Sequence, residues 1–177
     1  MSSSEREILI QVIDGVGIMT LNRPDKFNCI STPLMAGMSA AIEAFEADDK
    51  VRVILLNAVG KTFCTGADLD EVMVARKSRE SLSAFISHIH KVFRRLETSP
   101  LPVVVSVNGL ALAGGIEMMM ACDVAFAAAS AQIGDQHAQY GLVPGGGGTQ
   151  RLARLVGLRR ALDLQYTNRW LTAAEAE

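Results

Sequence analysis

About half of the 177 residues are hydrophobic (49%), and the charges nearly cancel, 17 Lys and Arg against 19 Asp and Glu. Such a chain is too apolar to stay disordered and long enough to bury a core, which predicts a single domain over 1–177. No basic run is long enough to neutralise many phosphates, which excludes nucleic acid as the main partner, and no apolar run reaches bilayer length, so no membrane span is expected.

From the N-terminus, MSSSEREILIQV carries acids among its first charges and no apolar block ahead of a cleavage site, so no signal peptide is expected. EILIQVIDGVGIMTLN predicts two strands joined at Asp14-Gly15, a dipeptide suited to a tight hairpin. Thr32-Pro33 opens a helix with Leu34, Met38, Ala41, Ile42 and Phe45 at helical spacing. VRVILLNAVG reads as a buried strand, and LSAFISHIHKVFRRLE as an amphipathic helix with the stripe Phe85, Ile89, Val92, Phe93 and Leu96. SPLPVVVSVNG enters a second β-branched strand. The segment after Gly115 reads as helix, DVAFAAA as a further strand, and TQRLARLVG and LRRALDLQYT as two more helices. This alternation predicts an α/β fold with layered packing. Cys29, Cys64 and Cys122 are widely spaced and form no metal-type pair; reduced thiols, a cytoplasmic location and no metal are expected.

The chemistry concentrates in three strand-to-helix turns. In GLALAGGIEMMMACD, Glu117 is the one acid inside the apolar run that Asp123 ends, and a carboxylate there is costly to bury without compensation. A strand ends at Asn108-Gly109 and a helix begins at Gly114-Gly115, where the missing side chains let backbone approach a ligand. The first N–H groups of a helix lack internal partners and can receive an oxygen that becomes anionic. Two plainer readings stand beside this one: an acid favoured by the helix dipole, and a phosphate loop from the Gly109–Gly114 spacing. Gly115-Ile116 follows in place of Lys and Ser/Thr, which argues against a nucleoside triphosphate. GKTFCTGADLDEV is a second turn, with the small corner Thr65-Gly66-Ala67 ahead of acids that fit a helix start. QIGDQHAQYGLVPGGGGTQRL is the third. Its four glycines read as a flexible turn, Thr149 as an N-cap, and Arg151 and Arg154 as solvated helix charges.

LNRPDKFNCI, FCTGADL, PVVVSVNGLALAGGIEMMMACDVAF and YGLVPGGGGTQRLARLVG occur together in a fixed order. In that order and spacing the chain resembles the enoyl-CoA hydratase/isomerase (crotonase) superfamily from about Ile8 to its end. The resemblance implies a spiral of ββα turns with helices outside, an acyl-CoA thioester substrate, and no cofactor beyond the CoA moiety of that substrate. It implies that the backbone N–H groups of Ala67 and Gly114 form an oxyanion hole for the thioester carbonyl. Glu117 matches the first of two catalytic glutamates in the hydratases, a general base for water. Thr65, Asp68 and Leu69 match positions whose backbone meets the CoA adenine. Lys26 and Phe27 match positions that flank the CoA moiety, with Lys26 placed to pair with a phosphate.

The sequence departs from the family pattern in two places. The second glutamate of the hydratases, four residues before the glycine that here is Gly141, is replaced by His137. Histidine can serve as acid or base near neutral pH; the plainer reading is a spectator bonded to Asp135, and Asp135 would supply the missing carboxylate only with a shifted backbone. His88 and His90 belong to the amphipathic helix and read as surface or pocket-rim residues, with the surface reading preferred. The second departure is length. Family members continue beyond WLTAAEAE into helices that cover the acyl pocket and form trimer contacts, so the resemblance implies a spiral core without the usual C-terminal helical part. A homo-trimer or hexamer is expected where those helices are present. The leading expectation is an enoyl-CoA hydratase that adds water across a 2,3 double bond, with Glu117 as base and His137 as acid or water-orienting group. Isomerisation, thioester hydrolysis or carbon–carbon lysis on the same scaffold, and a non-catalytic acyl-CoA binder, stand as alternatives.

Overall fold

The computed structural model describes residues 6–177, so the leading MSSSE, part of the signal-peptide reading, lies outside the described residues. A hairpin comes first: β1 (Ile8–Ile13) pairs antiparallel with β2 (Val16–Leu21). Asp14 and Gly15 form its turn with φ of 49° and 83°, the left-handed pair that such a dipeptide favours. Next comes α1 (Thr32–Glu46), capped by Ser31, whose side chain accepts the Leu34 N–H at 3.1 Å. Its buried face is the predicted stripe with Met35 added.

Three further turns of chain follow one plan. β3 (Val53–Ala58) and β4 (Thr62–Cys64) lead to α2 (Leu69–Ala75) and α3 (Arg79–Thr98). β5 (Val103–Val107) and β6 (Leu110–Leu112) lead to α4 (Gly114–Met119). β7 (Val124–Ala127) and β8 (Gln132–Gly134) lead to α5 (Gly148–Val156) and α6 (Leu158–Thr167), after which β9 (Leu171–Thr172) and α7 (Ala173–Ala176) close the chain. Each turn gives one strand to a sheet ordered β1-β2-β3-β5-β7 and the next to a sheet ordered β4-β6-β8-β9. Apart from the hairpin and the antiparallel β8–β9 pair, all neighbours run parallel. The result is the expected ββα spiral.

Corners between the two sheets stack tightly. A Cβ built on Gly109 would lie 2.0 Å from the Lys61 carbonyl oxygen, so only glycine fits there. Asn108 Nδ2 donates to the Gly60 carbonyl at 2.6 Å and ties successive corners together. The main core joins the inner face of the five-stranded sheet (Met19, Leu21, Ile54, Leu56, Val103, Val105) to Ile42 and Phe45 of α1 and Phe93 and Leu96 of α3. A smaller cluster of Leu152, Ala161, Leu164 and Leu171 holds α5, α6 and β9 together. The α3 stripe is buried as predicted, with Phe85 only partly so. β7 is a strand, as its sequence predicts, but all four of its residues are exposed. Among the described residues no helix is long and apolar enough to cross a membrane.

Candidate active site

Two strand-to-helix turns meet back to back. After β4, Ile30 donates its N–H to the Gly66 carbonyl and Asp68 donates to the Ile30 carbonyl, both at 2.8 Å. These bonds grip the corner on either side of Ala67 and leave its own N–H without an acceptor among the described residues. After β6, Ala113 takes φ 49° and ψ −117°, a left-handed conformation that costs an alanine on the order of 1–3 kcal/mol. Its N–H is anchored on the Gly134 carbonyl at 3.0 Å, and the following N–H, that of Gly114, is likewise free among the described residues. The two turns touch: a Cβ on Gly66 would sit 3.2 Å from the Gly114 nitrogen, and one on Gly114 would sit 3.6 Å from the Ala67 nitrogen. Two unpaired donors thus lie side by side.

Glu117, in the first turn of α4, is 2% exposed. Its Oε1 accepts the Gly148 N–H at 2.7 Å, and its Oε2 lies 3.6 Å from His137 Nε2. Gly148 is the first residue of α5, so the carboxylate caps a different helix from its own, at the positive end of that dipole. Burial pushes the Glu117 carboxyl above its ordinary range, against the pull of His137 and of the Gly148 and Gly146 N–H groups. The other ring nitrogen of His137, Nδ1, bonds Asp135 Oδ1 at 2.8 Å, and the same oxygen accepts the His137 main-chain N–H at 3.0 Å. Burial disfavours the imidazolium, but the Asp135 bond and the charges of Glu117 and Asp135 outweigh it, and the His137 pKa is raised. Three polar side chains therefore stand in line, Asp135–His137–Glu117. The Asp135 bond anticipated for a spectator is present, and the ring bridges to Glu117 as well.

Three expectations for the glycine-rich bend need correction. Thr149 is not the N-cap of α5; Gly147, with φ 108°, occupies that position and has no side chain to cap with, and the Glu117 carboxylate accepts the Gly148 N–H from outside. Arg151 is not a solvated charge. It is 7% exposed, its Nη1 donates to the Gly146 carbonyl at 2.6 Å, and its Nη2 meets Glu97 at 3.1 Å. The glycines are not slack either: a Cβ on Gly146 would fall 2.7 Å from Glu117 Oε2 and one on Gly148 3.0 Å from Oε1. The bend is shaped around the carboxylate and pinned by Arg151. A Gly run directly before a helix was the available signal, since helix N-termini hold anions. Arg154 is exposed, as expected.

A cavity of about 980 Å³ opens onto this region, with Ala67, Ala113 and His137 in its wall. Thr65, Asp68, Leu69, Lys26 and Phe27, the residues matched to CoA contacts, line the same cavity. Phe27 and Leu69 are exposed at its rim, and Lys26 Nζ lies 3.9 Å from Asp70. The backbone of Asp68 is already spoken for, its N–H by Ile30 and its carbonyl by Val72, and its carboxylate caps α2 and pairs with Arg23 at 3.1 Å. Asp68 therefore shapes the wall and has no free amide to offer. Cys29 also borders the cavity, but burial pushes its thiol up to about 11, which leaves it protonated and poorly nucleophilic at neutral pH. His88 and His90 border a separate cleft between α1 and α3 that contains none of these groups.

The enoyl-CoA hydratase/isomerase family model matches residues 11–177. The chain belongs to that family. Relatives of this enoyl-CoA hydratase/isomerase family member include the mitochondrial methylglutaconyl-CoA hydratase of Homo sapiens, 38% identical over 92% of this chain and 48% of the relative. The short-chain-enoyl-CoA hydratase of Clostridium acetobutylicum is 36% identical over 96% of this chain and 65% of its own length. Among solved structures, an enoyl-CoA hydratase from Bacillus anthracis superimposes with a TM-score of 0.91 at 35% identity, covering 96% of this chain and 66% of that one. The chain thus spans from about half to about two thirds of the length of these family members, and it shares the α/β spiral with the solved structure across the matched span.

Proposed function

We propose that this chain carries the catalytic core of an acyl-CoA hydro-lyase, an enoyl-CoA hydratase that adds water across the 2,3 double bond of a thioester. One observation carries the reading: the free amides of Ala67 and Gly114 lie side by side, Glu117 stands in the same first turn of α4 as Gly114 with His137 beside it, and Ala67 and His137 line one cavity. In the proposed cycle Glu117 takes a proton from water as its oxygen bonds C3. The electron pair of the double bond moves onto the thioester oxygen, where the two N–H groups stabilise the enolate; one such donor contributes about 2.7–4 kcal/mol. His137, as imidazolium, protonates C2. Glu117 is then neutral and His137 has lost its proton, and transfer across the 3.6 Å between Oε2 and Nε2 restores both. The CoA moiety would follow the rim past Phe27, Leu69 and Thr65, with Lys26 toward a phosphate.

Crotonyl-CoA hydration by the wild type and by Glu117→Gln tests the proposal. Turnover in the wild type and a loss of about 10²–10⁴-fold in the variant are expected, the range for removal of a general base; equal rates would remove the assigned role. A second reading, double-bond isomerisation or another reaction of the same enolate, is favoured by the histidine at the acid position, because the oxyanion hole serves all of them while the proton carriers differ. Product masses separate the two: hydration adds one water, and isomerisation leaves the mass unchanged.

A further inference from the structure

Asp135 has no part in the cycle above, yet it is 2% exposed and both hydrogen bonds to its side chain come from His137, on the single oxygen Oδ1. A carboxylate this deeply buried requires compensation, and among the described residues His137 provides it. We propose that Asp135 is the positioning residue of this site: it accepts the Nδ1–H of His137, so that the ring carries its second proton on Nε2, toward Glu117. The inference rests on the reading of Glu117 and His137 as the acid–base pair.

Charge counting supports it. Two glutamates that share one proton carry a net charge of −1. A glutamate with a protonated histidine carries zero, and with a neutral histidine the acid has lost the proton it must deliver. Adding Asp135 restores −1 with the proton still on the histidine. The replacement of a glutamate by histidine therefore comes with its own carboxylate two residues upstream, and no shift of backbone is needed to use it. The charged groups that face the ring are Asp135 from its own segment and Glu117 from α4; Asp25, Lys26, Asp68 and Asp70 also line the cavity, and Arg151 is turned to the Gly146 carbonyl. Asp135 and Glu117 both favour the imidazolium.

Asp135→Asn separates charge from geometry, because the amide keeps an oxygen able to accept both bonds. The first readout is the titration of His137 by NMR, one of three histidines and assignable with His137→Gln. Its midpoint is expected to move to lower pH in Asp135→Asn, and an unchanged midpoint overturns the proposal. In the hydration assay the alkaline limb of kcat/KM should move the same way. Loss of kcat should exceed about tenfold at nearly constant KM, short of the ~10²–10⁴-fold for removing an acid–base group. A purely structural role would move neither limb nor midpoint. If the variant does not fold, the wild type still decides: at alkaline pH the neutral ring should carry its proton on Nδ1, and a proton on Nε2 overturns the proposal. Because these NMR readouts need no turnover, a chain that shifts as expected but hydrates nothing would sink the hydratase reading and leave the positioning role standing.

Discussion

Glu117 holds two positions at once, cap of α5 and proton carrier beside His137, and the two make opposite demands on its charge. The net direction is upward: the folded protein holds this proton above the ordinary 4.5 at which the unfolded chain releases it. Where the native state binds more protons than the unfolded one, stability falls as pH rises. The Glu117 contribution is therefore complete below about pH 4.5 and lost as pH climbs through the raised folded value. Glu117→Gln cannot ionise and can still accept the Gly148 N–H. It should melt above the wild type at pH 8, with the difference closing at pH 4, while activity is lost; thermal melts at the two pH values check this. A variant that melts below the wild type at pH 8 would mean that capping by the anion outweighs its burial. That Glu117 needed an explanation was legible in the sequence, since no other acid breaks its apolar run. Its partner was not, because Gly148 lies 31 residues away and nothing local marks the pair. Arg151 was misread for the same reason. A cation on a polar helix reads as solvated until the carbonyl it grips, that of Gly146, is folded beneath it.

At the scale of elements, the start of α4 turns on two glycines with different duties. A Cβ on Gly115 would lie 2.1 Å from the Cys64 carbonyl oxygen, which is backbone of β4 and cannot yield. Gly115→Ala should destabilise by at least the ~1–3 kcal/mol typical of overpacking, lowering the urea midpoint. A Cβ on Gly114 meets first the end of the flexible Ile30 side chain, at 2.7 Å, then the Gly66 Cα at 3.2 Å, a milder backbone approach than that at Gly115, and sits 3.6 Å from the Ala67 nitrogen, beside the free amides. Gly114→Ala should therefore fold with a smaller loss and yet lower kcat by about 10²–10³-fold, as when an oxyanion donor is removed. A larger fall in stability for Gly114→Ala than for Gly115→Ala would reverse the assignment. The hairpin, α1, α3 and the corner glycines were all readable from periodicity and turn chemistry, because each is set by residues close in sequence. The strained Ala113 was not: its φ of 49° is imposed by the Gly134 carbonyl, across a strand pairing that no local pattern encodes.

Over the whole molecule the five-stranded sheet has two unequal faces. One carries Met19, Leu21, Ile54, Leu56, Val103 and Val105 into the core beneath α1 and α3. On the other, strand register sets Ile18 beside Leu55, Leu55 beside Val104, and Val104 beside Val124, an apolar row that ends on the exposed β7. The alternation in DVAFAAA revealed a strand but not that its larger side chains face outward, because a period of two is the same on either face. Phe126 is 65% exposed there, whereas Leu56 is 0% exposed. Leu56→Ala should cost about 2–5 kcal/mol, the range for emptying a filled core position. Phe126→Ser should change stability by no more than about 0.5 kcal/mol, as for an ordinary surface site. It should also lower the binding of an apolar fluorescent dye, since it removes the largest exposed side chain of β7, two residues beyond Val124, where the apolar row ends. Chemical denaturation of the two variants and dye fluorescence of the folded wild type and Phe126→Ser measure these effects. A cost for Phe126→Ser that approached that of Leu56→Ala would mean that the β7 face is packed in solution and that the core extends through both sides of the sheet.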